Sequence, residues 1–161
     1  QANAWPLSAT SPGFFIFQTK NTTPAAFAND ASNITYTPGK AQNKINAVLK
    51  VPTDWIIDGV EVYEKINESK SKKRFGSDVD AGYVMQTVKL GHSVYRNVDV
   101  EATKKIEGNT AKLVYNYQYG ADPSNIDAEA SMKNGAKIVY MDTNNSTSDF
   151  HERKQFSLRD K

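Results

Sequence analysis

The chain has no cysteine. Disulfides, thiol nucleophiles and cysteine-ligated zinc are excluded, and the redox compartment cannot be read from the composition. Histidine is nearly as scarce, with only His92 and His151, so a histidine-based metal centre lacks ligands. Neither sign of charge dominates: 20 basic against 18 acidic residues leave a net charge of +2, too balanced to name nucleic acid or an anionic membrane as partner. No apolar run approaches the roughly 18 residues of a membrane span, and no charged-then-apolar leader stands at the front. The chain opens on Gln1 rather than Met, and it is read here as the C-terminal part of a longer protein.

Catalytic signatures are equally thin. Gly91-His92-Ser93 lacks the Gly-x-Ser-x-Gly elbow, and no acid is placed to orient His92. Neither a phosphate-binding glycine loop nor a zincin motif occurs. Asp58 and Glu61 stand three apart on an expected strand, so they face opposite sides and do not form an acid/base carboxylate pair. The sequence therefore reads as a non-enzyme with neither cofactor nor metal.

What the chain does have is strand-forming residues in short runs. The longest is Val51 to Tyr63, where Ile56, Val60 and Val62 alternate with Trp55, Ile57 and Tyr63. Both faces are mostly apolar, which suits a central strand covered on both sides, with Pro52 at its start. Asp58 is the odd residue in it. A carboxylate buried there needs a partner, and Arg96 is a candidate.

Phe14-Phe15-Ile16-Phe17 reads as a buried strand, and Thr23 followed by Pro24 as the start of one helical turn. Ile45 to Val51 continues an extended path into the long strand. Tyr83 to Leu90 and Ser93 to Val100 read as a hairpin about Gly91, and Lys112 to Tyr119 as a further strand. Asp122-Pro123 starts an expected short helix over Ile126 to Lys133, with Gly135 as its stop. Lys137 to Met141 is an expected last strand before the polar run Asp142 to Phe150. The whole predicts one mainly β domain over 1–161, an all-β sandwich with one or two short helices.

Three surface features are candidates for binding. Lys73 and Arg74, in a basic loop with Lys70 and Lys72, could meet phosphate or an acidic glycan, with Phe75 stacking on a base or sugar; the plain alternative is a solvated loop. Tyr115, Tyr117 and Tyr119 share one strand face and could form a platform for carbohydrate or protein, or simply pack on a core. Asp142-Thr143-Asn144-Asn145-Ser146, with Ser148 and Asp149, spaces oxygen ligands as calcium loops do, but these residues also bond their own backbone in turns.

Four blocks occur in order: Val51-Pro52-Thr53-Asp54-Trp55-Ile56-Ile57-Asp58-Gly59-Val60-Glu61; Lys73-Arg74 before Asp78-Val79-Asp80-Ala81-Gly82-Tyr83; Gly91-His92-Ser93-Val94-Tyr95-Arg96; and Asp142-Thr143-Asn144-Asn145-Ser146 with Asp149-Phe150. Together they resemble an uncharacterised family of Bacteroidota cell-surface lipoproteins with a lamin-tail, immunoglobulin-like sandwich. The resemblance covers most of residues 11 to 150 and fits the C-terminal half of such a protein. Tyr95 stands where a second basic residue is expected beside Arg96, and 97–136 is longer than the usual connection, an insertion. The resemblance implies export, a lipid anchor upstream, an outer-membrane location at the cell surface and association with TonB-dependent nutrient transporters. On that reading an incomplete sandwich takes its remaining strands from the missing N-terminal half or from a protein partner. The expected function is a non-catalytic surface binding or accessory module; the alternative is a carbohydrate-binding module of a glycan-uptake system. No nucleic acid is expected as partner.

Overall fold

Short strand-forming runs broken by Asn, Asp, Gly and Pro cannot build long strands, and in the structure, a computed structural model, none among the described residues exceeds the nine of Ile56–Glu64. Residues 13–86, 93–115 and 122–153 are described. The elements are β1 (Gly13–Phe17), α1 (Pro24–Asn29), β2 (Ile34–Tyr36), β3 (Ala47–Leu49), β4 (Ile56–Glu64), β5 (Val84–Gln86), β6 (Ser93–Arg96), α2 (Val100–Lys105), β7 (Val114–Tyr115), β8 (Ile126–Asp127), α3 (Ala128–Lys133), α4 (Ser146–Asp149) and β9 (Phe150–Arg153). The fold is mainly β, in small sheets ordered β1-β4-β5, β2-β3, β6-β9 and β7-β8, with four short α-helices among the described residues rather than one or two. Two compact units are present: one spans Phe15–Gly59, the other begins at Val60 and includes Gly13 and Phe14.

In the 15–59 unit, α1 starts as its sequence directs. Thr23 Oγ1 accepts from the Ala26 N–H at 3.1 Å, and Pro24 occupies the first turn, where its missing N–H costs no bond. Phe27, the buried residue of α1, tilts against the Trp55 ring with centroids 4.9 Å apart. β2 and β3 pair antiparallel, with Ile34 opposite Leu49 and Tyr36 opposite Ala47. The long strand begins later than its apolar run suggests. Pro52 instead opens a 3-10 turn over Thr53–Trp55, closed by the Trp55 N–H on the Pro52 carbonyl at 3.1 Å, and β4 starts at Ile56. Nor are both faces of β4 covered throughout: Ile57 is 63% exposed, while Val62 and Tyr63 are buried.

In the unit from Val60 onward, β4 runs parallel to β5, with Val62 opposite Val84. The strand expected from Ser93 to Val100 stops at Arg96, and β6 pairs antiparallel with β9, Tyr95 opposite His151. Among the described residues it does not pair with β5, whose partner is β4; residues 87–92, through which the expected hairpin would turn, lie outside the described set. Asp99 ends the strand because its Oδ1 accepts the Ala102 N–H at 2.9 Å and caps α2, with Glu101 in the first turn and Lys104 and Lys105 in the last. The helix expected over Ile126–Lys133 likewise starts late, at Ala128, because Asp127 rather than Asp122 caps it; Ile126 belongs to β8, and Gly135, at φ +80°, ends the helix region.

Lys137–Met141 does not form a strand beyond a bridge between Tyr140 and Val98. Side chains take the backbone bonds a sheet would use: Asn109 Oδ1 accepts from the Lys137 N–H at 2.8 Å, and Thr103 Oγ1 accepts from the Val139 N–H at 3.0 Å. The polar run after it folds into α4 and β9, where a loop was expected, because Asn145 caps α4. Val98, Ile126 and Ala128 form a buried apolar cluster, with Val100, Leu113 and Ile138 packed on it, so the stretch read as an insertion supplies residues of this core.

Gly82 is buried where α4 comes close, and a Cβ there would lie 2.7 Å from the Thr147 backbone nitrogen. Gly82→Ala is expected to lower stability by about 1–3 kcal/mol in urea unfolding, whereas Gly108→Ala would act only through its φ of +68°, since open space surrounds it.

Candidate functional site

A carboxylate placed in an apolar strand has to find donors, and in β4 that residue is Glu61 rather than Asp58. Asp58 is half-exposed and accepts from the adjacent Gly59 N–H at 2.7 Å. Glu61 is fully buried. Its Oε1 accepts from the Arg74 N–H at 2.6 Å, and its Oε2 takes Lys73 Nζ at 2.8 Å and the Phe75 N–H at 3.5 Å. The Lys73 ammonium also stands 4.0 Å from Asp80 Oδ2, so one cation lies between two buried carboxylates.

Asp80 joins three segments. Its Oδ1 accepts from the Gly82 and Ser146 N–H groups, both at 2.9 Å; its Oδ2 accepts from the Glu61 N–H at 2.9 Å and the Ser146 hydroxyl at 2.7 Å. Burial pushes the Asp80 carboxyl up, but the hydrogen bonds from Ser146, Glu61 and Gly82 outweigh it and hold it below the ordinary carboxylate range. The bond from Asp80 to Gly82, two residues on, is an Asx turn, and Asp-x-Gly was its only sequence signal.

The basic-loop candidates are thereby brought together, with their backbone in use. Lys73 is exposed as a residue, yet its ammonium is tied to Glu61; Arg74 and Phe75 give their N–H groups to the same carboxylate, and Arg74 keeps an exposed side chain. Phe75 is half-buried, and its ring lies 2.9 Å from where a Gly13 Cβ would stand, so it packs on chain as well as facing outward. Of the tyrosines, Tyr115 sits in β7 opposite Ile126 and is 40% exposed. Tyr117 and Tyr119 lie outside the described residues, as does the second half of the strand expected there.

A second polar group forms between β6, β9 and α3. His151 Nδ1 stands 2.6 Å from Asn97 Oδ1, and its Nε2 accepts from Arg153 Nε at 2.8 Å. An amide oxygen only accepts, so Nδ1 carries the proton and the imidazole is neutral. Arg153 also reaches Glu129 at 3.0 Å and lies 3.7 Å from the centre of the Tyr95 ring. Burial pushes the His151 imidazole down, as does the Arg153 guanidinium, while Asp122 and Glu129 pull the other way. With both ring nitrogens engaged, His151 is placed to brace β9 and not to shuttle a proton.

The run weighed as a calcium loop closes on Asp149. Its Oδ2 accepts from the Thr143 N–H at 2.8 Å and its Oδ1 from the Thr143 hydroxyl at 2.8 Å, a pattern that turns the chain into α4. Arg96 lies over the Phe150 ring at 5.0 Å and 4.0 Å from Asp142 Oδ2.

Both titrations have the same sign. Asp80 and His151 have folded pKa values below their unfolded ones, so each contributes stability that is present above the unfolded pKa and lost as pH falls through it towards the folded value. Stability is expected to fall below about pH 6.5 through His151 and again below about pH 4 through Asp80. Asp80→Asn is expected to cost about 2–4 kcal/mol at neutral pH and to flatten the acid limb alone. Chemical denaturation across pH, with the His151 ring followed by NMR, checks both; protonation of His151 near its ordinary value with stability unchanged would contradict the assignment.

Among the described residues no helix is long and apolar enough to cross a membrane. No curated protein and no solved structure matches the chain. A family model described as protein of unknown function (DUF4876) matches residues 1–113, a span that contains Glu61, Lys73 and Asp80 and ends before Ser146 and His151. The match covers more than half of the sequence, and the chain belongs to that family.

Proposed function

We propose that this chain is a non-catalytic binding or accessory module of the cell surface, an immunoglobulin-like sandwich completed by the rest of a longer protein or by a protein partner. The observation that carries the reading is where apolar surface is left open. Phe15, Ile16, Ile34, Leu49 and Ile57 of the 15–59 unit are all at least a third exposed, and Ile45 is 92% exposed. Apolar side chains concentrated in so short a stretch mark a surface that another chain covers. The groups with catalytic potential point the same way, since Glu61, Asp80 and His151 spend their polar atoms on internal bonds. Placement as a lipoprotein at the outer membrane, beside a TonB-dependent transporter, is supported by the sequence resemblance alone.

Cross-linking mass spectrometry on native membranes tests this reading. Cross-links from lysines of the 15–59 unit to an outer-membrane protein, with no signal on a glycan array, are expected. Recovery of the chain free of any membrane protein, or saturable binding to a glycan, would overturn it.

A further inference from the structure

Resting on that reading, the hairpin of β2 and β3 identifies the kind of partner. Antiparallel pairs alternate between residues that exchange hydrogen bonds and residues that do not. The Thr37 N–H on the Asn46 carbonyl at 2.9 Å and the Lys50 N–H on the Asn33 carbonyl at 2.8 Å fix the phase: Asn33, Thr35 and Thr37 exchange bonds with Lys50, Val48 and Asn46. The N–H and C=O groups of Ala47 and Leu49 therefore point away from β2, and among the described residues no strand pairs with that edge.

The loop joining the two strands is held rather than slack. Asn43 Oδ1 accepts from the Ile45 and Asn46 N–H groups at 3.1 and 3.2 Å, and Asn46 Nδ2 donates to the Ala41 carbonyl at 2.8 Å. That turn keeps Ile45 out in solvent beside the edge. Charge is one-sided here: from Ala31 to Thr53 the chain has Lys40, Lys44 and Lys50, all exposed, and no carboxylate.

We propose that the outer edge of β3 accepts an extended strand of a partner protein in which apolar and acidic side chains alternate. Main-chain bonds to Ala47 and Leu49 give the strand its place, the side chains of Ala47 and Leu49 offer apolar contact on one face, and Lys50 on the other face, with Lys44 in the adjoining turn, selects the carboxylates. The patch continues from Ile45 along both strands, which suits a strand of protein better than a lipid surface touched by one loop tip.

Amide hydrogen exchange on the full chain, with blocked octapeptide probes, tests the proposal. A peptide alternating valine and glutamate, at low millimolar concentration, is expected to slow exchange of the Ala47 and Leu49 amides about tenfold, and one alternating valine and lysine is not. Leu49→Pro removes one outward N–H without touching the ladder bonds of Val48 and Lys50, and it should abolish the effect while those two amides stay protected. Lys50→Glu, which leaves the backbone unchanged, should weaken the acidic peptide about fivefold. Equal protection by both peptides, or by neither, overturns the proposal. So does protection that appears only with phosphatidylglycerol vesicles, or only with protein concentration, which would assign the edge to lipid or to a second copy. If the membrane cross-links hold but fall outside residues 31–53, the module reading stands and this edge assignment fails.

Discussion

One carboxylate does the work of a core. Asp80 receives main-chain N–H groups from β4, from its own turn and from α4, partners 19 and 66 residues away in sequence, together with the Ser146 hydroxyl. Several donors converging on one buried anion give bonds stronger than neutral ones, and no neutral side chain of that size replaces both oxygens. The parallel pairing of β4 with β5 and the approach of α4 over Gly82 both follow from where that anion sits.

The same economy runs through the rest of the unit from Val60 onward. Among the described residues of this unit, the most deeply buried side chains include the polar Glu61, Asn109, Thr103, Asp80, Asp149 and Ser131 beside the apolar Ile126 and Val98. Apolar burial alone would give these short strands little to select one arrangement over another. Fully bonded polar groups do select, because each leaves an unpaid desolvation penalty in any arrangement that misplaces a partner. In the 15–59 unit the balance is reversed: apolar groups lie open, and the bonding surface is turned outward at β3.

What could be read from the chain, and what could not, divides along this line. The Thr23-Pro24 helix start, the glycine stop at Gly135 and the mainly β character follow from local chemistry, and the sequence carried them. Which carboxylate in β4 is buried depends on partners far away, so alternation favoured Asp58 and missed Glu61. Lys137–Met141 reads as a strand by composition, yet Asn109 and Thr103, about 30 residues earlier, capture its backbone. Asp99, Asp127 and Asn145 did not stand out as caps, because Asp99 and Asp127 each follow a strand-like residue, Asn145 lies in a polar run, and the same side chains serve in turns. Of the binding candidates, Lys73, Arg74 and Phe75 do gather in space, but what gathers them is Glu61.

The central claim is that Asp80 holds β4, its own turn and α4 as one cooperative unit. Native-state hydrogen exchange in low denaturant tests it most directly, through the amides of Glu61, Gly82 and Ser146, which all donate to that carboxylate. The account predicts that the three exchange through a single opening, with the same free energy and the same dependence on denaturant. Three separate opening energies, with Ser146 exchanging freely while Glu61 stays protected, would contradict it.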